Sequence, residues 1–250
     1  MHLDLGDMRA IERLFDIYKP DVVIHLAAIT DPDRCEEDRA RALRVNFEAT
    51  EKLARLSVAT GAQLIFASTD LVFDGARGDY TETDEAQPLG TYGMSKLRAE
   101  HVVLRTCPRA FVFRSSLIYG FGSPTGSTFL TSVIENLEAG KPVKLFTDQI
   151  RNPILIDDLT EAVIRAIGLD LAGLFHVAGP EAVSRLDFGR LVCREFGFDQ
   201  GLLRPIAMED FGYTARRPLN STLSTAKFTA ATGFTPMGVA EGLRKLADFR

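Results

Sequence analysis

Gln63-Leu-Ile-Phe-Ala-Ser68 is an apolar run of strand length that passes directly into the polar pair Thr69-Asp70. Two further runs share its form, Asp21-Val-Val-Ile-His-Leu-Ala-Ala28 and Ala110-Phe-Val-Phe-Arg-Ser-Ser-Leu-Ile-Tyr119, and each ends in small or polar residues. Strands that are apolar along their whole length are those covered on both faces, and helical segments lie between these three. The sequence therefore predicts an α/β fold with a Rossmann-like doubly wound parallel sheet. A helix is expected over about Glu37–Thr60, where Leu43, Phe47, Leu53 and Leu56 form a stripe and Gly61 marks the end. A second should run from Tyr92, after the Pro88-Leu-Gly-Thr turn, to Cys107, where Pro108 stops it.

Working outward, the chain opens with Leu3-Asp-Leu-Gly-Asp7 and goes straight to a helix over Met8–Tyr18. A doubly wound sheet normally begins with a strand, a glycine-rich turn and a helix that receives a dinucleotide pyrophosphate, and none of these is written here. Beyond Tyr119-Gly-Phe-Gly the pattern loosens into a Gly/Ser/Thr/Pro stretch. A helix near Thr128–Ala139 follows, then short strands at Val143–Phe146 and Ile154–Ile156. Asp157–Ile167 reads as a helix, Gly173–Ala178 as a strand, and Ser184–Phe196 and Gly238–Phe249 as late helices. The expected division is a nucleotide-binding domain over 1–121, completed by 157–180, with a small substrate-binding lobe over 122–156 and 181–250.

Of the 250 residues 46% are apolar and 25% charged, which fits a globular protein with a sizeable core. Lys and Arg number 29 against 34 Asp and Glu, a net charge of −5 that offers no general attraction for nucleic acid. Three cysteines without CxxC spacing read as reduced thiols and suggest no metal site. No stretch approaches the roughly 18 apolar residues of a membrane span, so no membrane partner and a cytoplasmic location are expected. His25 and His176 lie inside apolar runs and read as packed histidines. His2 and His101 read as solvent-facing, and no nucleophilic role is expected of Cys35 or Cys107.

The chemistry concentrates in Tyr92-Gly-Met-Ser-Lys96. Spacing of i, i+4 puts the phenol and the ammonium on one helix face, where the ammonium should lower the tyrosine's pKa and suit it to general acid or base work. Strand 63–68 delivers Thr69 at its carboxyl end, the end where open α/β sheets bind ligands. Thr69 could share a substrate oxygen with Tyr92 and fix a carbonyl between them.

HLAAIT (25–30), VNFEAT (45–50), FASTDLVFDG (66–75), YGMSK (92–96), FRSSLIYG (113–120) and DQIRNPILIDDL (148–159) follow one another along the chain. In this order and spacing, together with Arg217-Pro218 and Leu223-Ser-Thr-Ala-Lys227, the sequence resembles the extended short-chain dehydrogenases/reductases, closest to the dTDP-4-dehydrorhamnose reductase type. The resemblance implies a catalytic set of Thr69, Tyr92 and Lys96, with NADPH or NADH as cofactor and a nucleotide-linked 4-keto-6-deoxysugar as substrate. It implies cofactor contacts at Asp4, Leu5, Ala27, Ala28, Thr30, Asn46, Ser68, Tyr92 and Lys96. Substrate contacts would come from Thr69, Gln149, Arg151, Asn152 and Arg217, the last meeting a diphosphate through paired N–H donors.

Members of this group also carry a glycine-rich first strand–turn–helix and a second strand. Their absence here suggests a shortened chain whose strand 21–28 has an exposed edge. Dehydratases of the superfamily show an Asp-Glu pair after the threonine, whereas Asp70 is followed by Leu71. Alternatives are an epimerase or a non-catalytic binding subunit resembling the regulatory subunit of methionine adenosyltransferase. A homodimer is a further expectation.

Overall fold

The structure is a computed structural model that describes residues 4–122 and 128–249. Most of the Gly/Ser/Thr/Pro stretch after Phe121, and His2, lie outside those residues. Asp7 starts the first helix, α1 (Met8–Tyr18), by accepting from the N–H groups of Arg9 and Ala10, and Ile11 and Phe15 form its buried face. There follow β1 (Val22–His25), α2 (Pro32–Glu37), α3 (Arg39–Leu43), a π-helical turn at Arg44–Glu48, α4 (Ala49–Thr60) and β2 (Gln63–Thr69). After a 3-10 turn at Asp70–Val72 come α5 (Thr91–Thr106), β3 (Phe111–Ser115), β4 (Ile118–Tyr119), α6 (Phe129–Glu138) and β5 (Val143–Phe146). The chain continues through β6 (Ile150–Arg151), β7 (Ile154–Leu155), α7 (Ile156–Gly168), β8 (Gly173–His176), β9 (Val183–Ser184) and α8 (Arg185–Phe196). It ends with β10 (Leu203–Ile206), α9 (Ala226–Thr232) and α10 (Val239–Asp248).

β1, β2, β3 and β8 form a four-stranded, wholly parallel sheet in that order. Both faces are covered, as continuous apolar strands require. On one face Leu64, Phe66 and Val112 pack against Ala54 of α4 and Ala99, Val102 and Val103 of α5. On the other, Phe111, Phe113 and Phe175 meet Leu159, Ala162 and Ala166 of α7 together with Phe228 of α9. Burying each of the Leu, Val and Phe side chains among these stabilises the fold by about 1.5–3 kcal/mol. β1 is the edge strand among the described residues, with Ile24 51% and Leu26 58% exposed. A separate core gathers α6, α8, α10, β5 and β10 around Leu130, Leu145, Phe188 and Leu243.

Two expected elements differ. The helix foreseen over Glu37–Thr60 is broken: Asp38, at φ −134° and ψ 76°, ends α2 and caps α3, and the π turn then shifts the phase. Its buried face is Ala42, Asn46, Ala49, Thr50, Leu53, Ala54 and Ser57, and of the apolar stripe only Leu53 is fully buried. Small and polar residues face inward because this helix is wedged among α1, α5 and the sheet. The strand foreseen over Ala110–Tyr119 stops at Ser115, and β4 leaves the sheet to pair with β7.

Candidate active site

β2 ends where its hydroxyl residues begin. Thr69 caps the following 3-10 turn, accepting from the Leu71 N–H (3.2 Å) and donating to the Asp70 carboxylate (3.2 Å). α5 starts directly beside this turn. Its first N–H groups find no cap at Gly90, and Glu36 of α2 reaches across to accept from the Thr91 N–H (2.6 Å). A Cβ at Gly93 would lie 2.2 Å from the Leu71 carbonyl oxygen, so only glycine lets the two elements approach this closely. The approach sets Tyr92 and Thr69 on the wall of one cavity. One helical turn further on, Lys96 is buried with its ammonium 4.2 Å from the centre of the Phe66 ring.

The acid–base character differs from the sequence expectation. Burial pushes the Tyr92 phenol above its ordinary value, and the Asp70 charge adds to this while Thr69 opposes it. Lys96 is itself brought down to about 7 by burial, against the pull of Glu100. Tyr92 is thus a phenol that keeps its proton at neutral pH. His25 and His176 are buried and held near 3 by desolvation, as packed neutral rings.

Beneath the site the side chains are tied together. Asn46, within the π turn, accepts from the Ile29 N–H (2.8 Å) and donates to the Ile29 carbonyl (3.0 Å) and Ser95 Oγ (3.1 Å). Its amide is therefore fully engaged in positioning the β1 exit against α5. Ser68 donates to Glu100, which also receives Arg114 in a two-point contact at 2.6 and 3.0 Å. Asp70 gathers Ser116, Ser221 and Arg151, whose Nε is 3.1 Å away.

Above the site lies a cavity of about 440 Å³ that Thr30, Thr69, Tyr92, Gln149, Arg151 and Arg217 all line. The structure also places there Ser116, Arg185 and Tyr213, which the sequence did not single out. Arg151 donates to the carbonyls of Ile150, Pro218 and Leu219 besides Asp70, so its guanidinium holds protein rather than facing a ligand freely. The expectation for Arg217 was a paired fork offered to a diphosphate. That fork grips Asp33 instead, at 3.1 and 3.0 Å, with the guanidinium 3.4 Å above the Tyr213 ring. Asn152 is outside the cavity and accepts from the Leu223 N–H (2.7 Å). Ala27 and Leu5 border an apolar groove beside β1, and Asp4 lies near Arg41 and Arg44. Ala28 is half-buried at the β1 exit. Arg185 left one sequence signal, the helix start Ser184-Arg-Leu-Asp187 with its serine cap.

A parallel sheet whose carboxyl edge brings Thr69 and Tyr92 to one cavity, with Lys96 buried a helical turn further on, is the architecture of an extended short-chain dehydrogenase/reductase. The chain belongs to the RmlD substrate binding domain family, which it matches over residues 1–249. It is 38% identical to a dTDP-4-dehydrorhamnose reductase of Mycobacterium tuberculosis, over 94% of this chain and 77% of that one. Its fold superposes with a TM-score of 0.93 on the Bacillus anthracis dTDP-4-dehydrorhamnose reductase crystallised with NADP, at 26% identity and covering 99% and 87% of the two chains. It is also 32% identical to methionine adenosyltransferase 2 subunit beta of Xenopus laevis, over 90% of this chain and 69% of that protein. Among the described residues no helix is long and apolar enough to cross a membrane, and no cluster of potential metal ligands is found.

Proposed function

We propose that the protein reduces the keto group of a nucleotide-linked 4-keto-6-deoxysugar with NADPH or NADH, as an NAD(P)-dependent oxidoreductase. The observation that carries this reading is Thr69 and Tyr92 on the wall of an arginine-lined cavity, with Lys96 buried one helical turn beyond Tyr92. The nicotinamide cofactor supplies the hydride when bound. Tyr92, which keeps its proton at neutral pH, donates it to the developing alkoxide, and Thr69 orients the carbonyl oxygen. Lys96 fits a cofactor ribose: its ammonium is buried on Phe66 and has no hydrogen-bond acceptor among the described residues. The small side chains Ala27 and Ala28, with Thr30, leave the carboxyl end of β1 open to the same group, bordered by Ser68. Asp4 and Leu5 would serve its adenine end. Asn46 acts through Ile29 and Ser95 as a positioning residue.

In this reading residues 1–121 with 157–180 carry the cofactor, while 122–156 and 181–250 carry the sugar nucleotide. Gln149, Arg151 and Arg217 form part of its wall, and Asn152 holds that wall in place from behind. The separate core around Phe188 supports the division, as the three buried, unpaired cysteines support a cytoplasmic location. A non-catalytic regulatory role is the second reading, favoured by the Xenopus relative, but it gives no reason for a protonated tyrosine on a cavity wall with a buried lysine one helical turn beyond it. Incubation with NADPH or NADH and a dTDP-4-keto-6-deoxysugar, followed by absorbance of the reduced cofactor, tests the choice. Sugar-dependent loss of absorbance is expected; none with either cofactor would leave the binding role in its place.

A further inference from the structure

Three arginines face the cavity next to Tyr92, and two of them are already committed. Arg151 is paired with Asp70 and Arg217 with Asp33. Arg185 is anchored only at its root, where its backbone N–H donates to the Gln149 carbonyl (3.1 Å) and its Nε to Gln149 Oε1 (2.8 Å). The β6–β9 pairing of Ile150 with Ser184 fixes both residues at this spot. The guanidinium lies 4.3 Å over the Phe129 ring. Its Nη1 is sealed from solvent and has no hydrogen-bond partner, and Arg185 enters no ion pair among the described residues. The cavity therefore holds one guanidinium that no carboxylate pairs with directly, the Asp70 charge acting on it only without contact. Burial and the neighbouring Arg151 charge bring this guanidinium down to about 10, which still leaves it charged at neutral pH. A desolvated guanidinium without a paired anion is costly unless a ligand supplies one.

We infer that Arg185 donates from the edge of its guanidinium that lines the cavity, and not from the sealed Nη1, to a phosphoryl oxygen of the substrate's nucleoside diphosphate, anchoring the nucleotide so that the sugar lies against Tyr92. This rests on the sugar-nucleotide reading above. A pyrophosphate also occurs in the cofactor, but Arg185 opens α8 directly after the β6–β9 ladder, whereas Lys96 is carried by α5. The test is calorimetric titration of the wild type, Arg185→Gln and Arg185→Lys with dTDP and, separately, with NADPH. Arg185→Gln is expected to weaken dTDP about 30-fold, the size of a lost charge-assisted contact. Arg185→Lys should recover part of that loss, and NADPH affinity should not change. Equal dTDP affinity in the wild type and Arg185→Gln, equal losses in both variants, or a wild type that fails to bind dTDP each overturns the assignment. Weakening of NADPH in place of dTDP would move the contact to the cofactor. A dTDP defect of the expected size in a protein that turns over no keto sugar would keep the phosphate contact and reject the reductase reading.

Discussion

The two walls of the cavity are built in opposite ways. The sheet wall takes its residues from two short segments, Ser68–Asp70 and Tyr92–Lys96, set on a strand end and a helix start that a glycine contact locks together. The lobe wall takes Gln149, Arg151, Arg185, Tyr213 and Arg217 from separate stretches, joined by side chains that hold backbone carbonyls and carboxylates. The first wall is rigid through packing and the second through polar ties. Reactive geometry therefore belongs to the sheet wall, and the lobe wall can differ in shape without disturbing it.

Substitutions can separate these roles. The largest effect is expected on the sheet wall: Tyr92→Phe should lower kcat by about 10²- to 10⁴-fold, the usual worth of a general acid, while dTDP binding is unchanged. Steady-state kinetics beside calorimetry would show it, and a comparable loss of nucleotide affinity would blur the division. Next, Arg151→Ala leaves Asp70 buried without its cation and takes a donor from the carbonyls of Ile150, Pro218 and Leu219, the last of which keeps the Ile150 N–H (2.7 Å). It should cost about 3–5 kcal/mol in urea unfolding, and a cost under about 1 kcal/mol would show that the lobe wall does not depend on this tie. The smallest effect belongs to Asp33→Asn, which keeps an acceptor for the Ala215 N–H (2.7 Å) but loses the charge facing Arg217. This pair is partly exposed and should contribute only about 0.5–1 kcal/mol.

The pH dependence of that contribution has a definite sign. Chiefly through its hydrogen bond from Arg217, Asp33 titrates below its ordinary 3.8. Its stabilisation is therefore present above that value and fades as pH falls through the lower, folded-state pKa. Thermal unfolding across the acid range should show the gap between wild type and Asp33→Asn closing; a constant gap would mean that charge is not what Asp33 contributes to the contact with Arg217.

The same difference explains what the sequence could show. Residues contiguous in the chain and placed by a strand end or a helix spacing, such as Thr69, Tyr92 and Lys96, are legible in the order of amino acids alone. The parallel sheet and most helices are legible for the same reason, since apolar runs and caps are local signals. Arg185 is not, because its standing depends on Arg151 and Arg217 being engaged elsewhere. The shift of Tyr92 is equally hidden: i, i+4 spacing puts Lys96 on the same face, but packing sends its ammonium onto Phe66. In the helix region, the six-residue α2 buries only Cys35 and so leaves no periodic trace.

The π turn at Arg44–Glu48 gives the chain a requirement of count more than of composition. Each helical residue rotates the chain by about 100°, and a π turn spends one residue more than an α turn. Deleting a single residue there would restore a regular helix with its two halves nearly in register, but would remove the bulge that carries Asn46. Asn46 would then swing away from Ile29, and the β1 exit would lose the amide that sets its distance from α5. Exposed Arg44 and Glu48 can change identity with little consequence for this alignment, whereas the number of residues between Asp38 and Thr50 cannot.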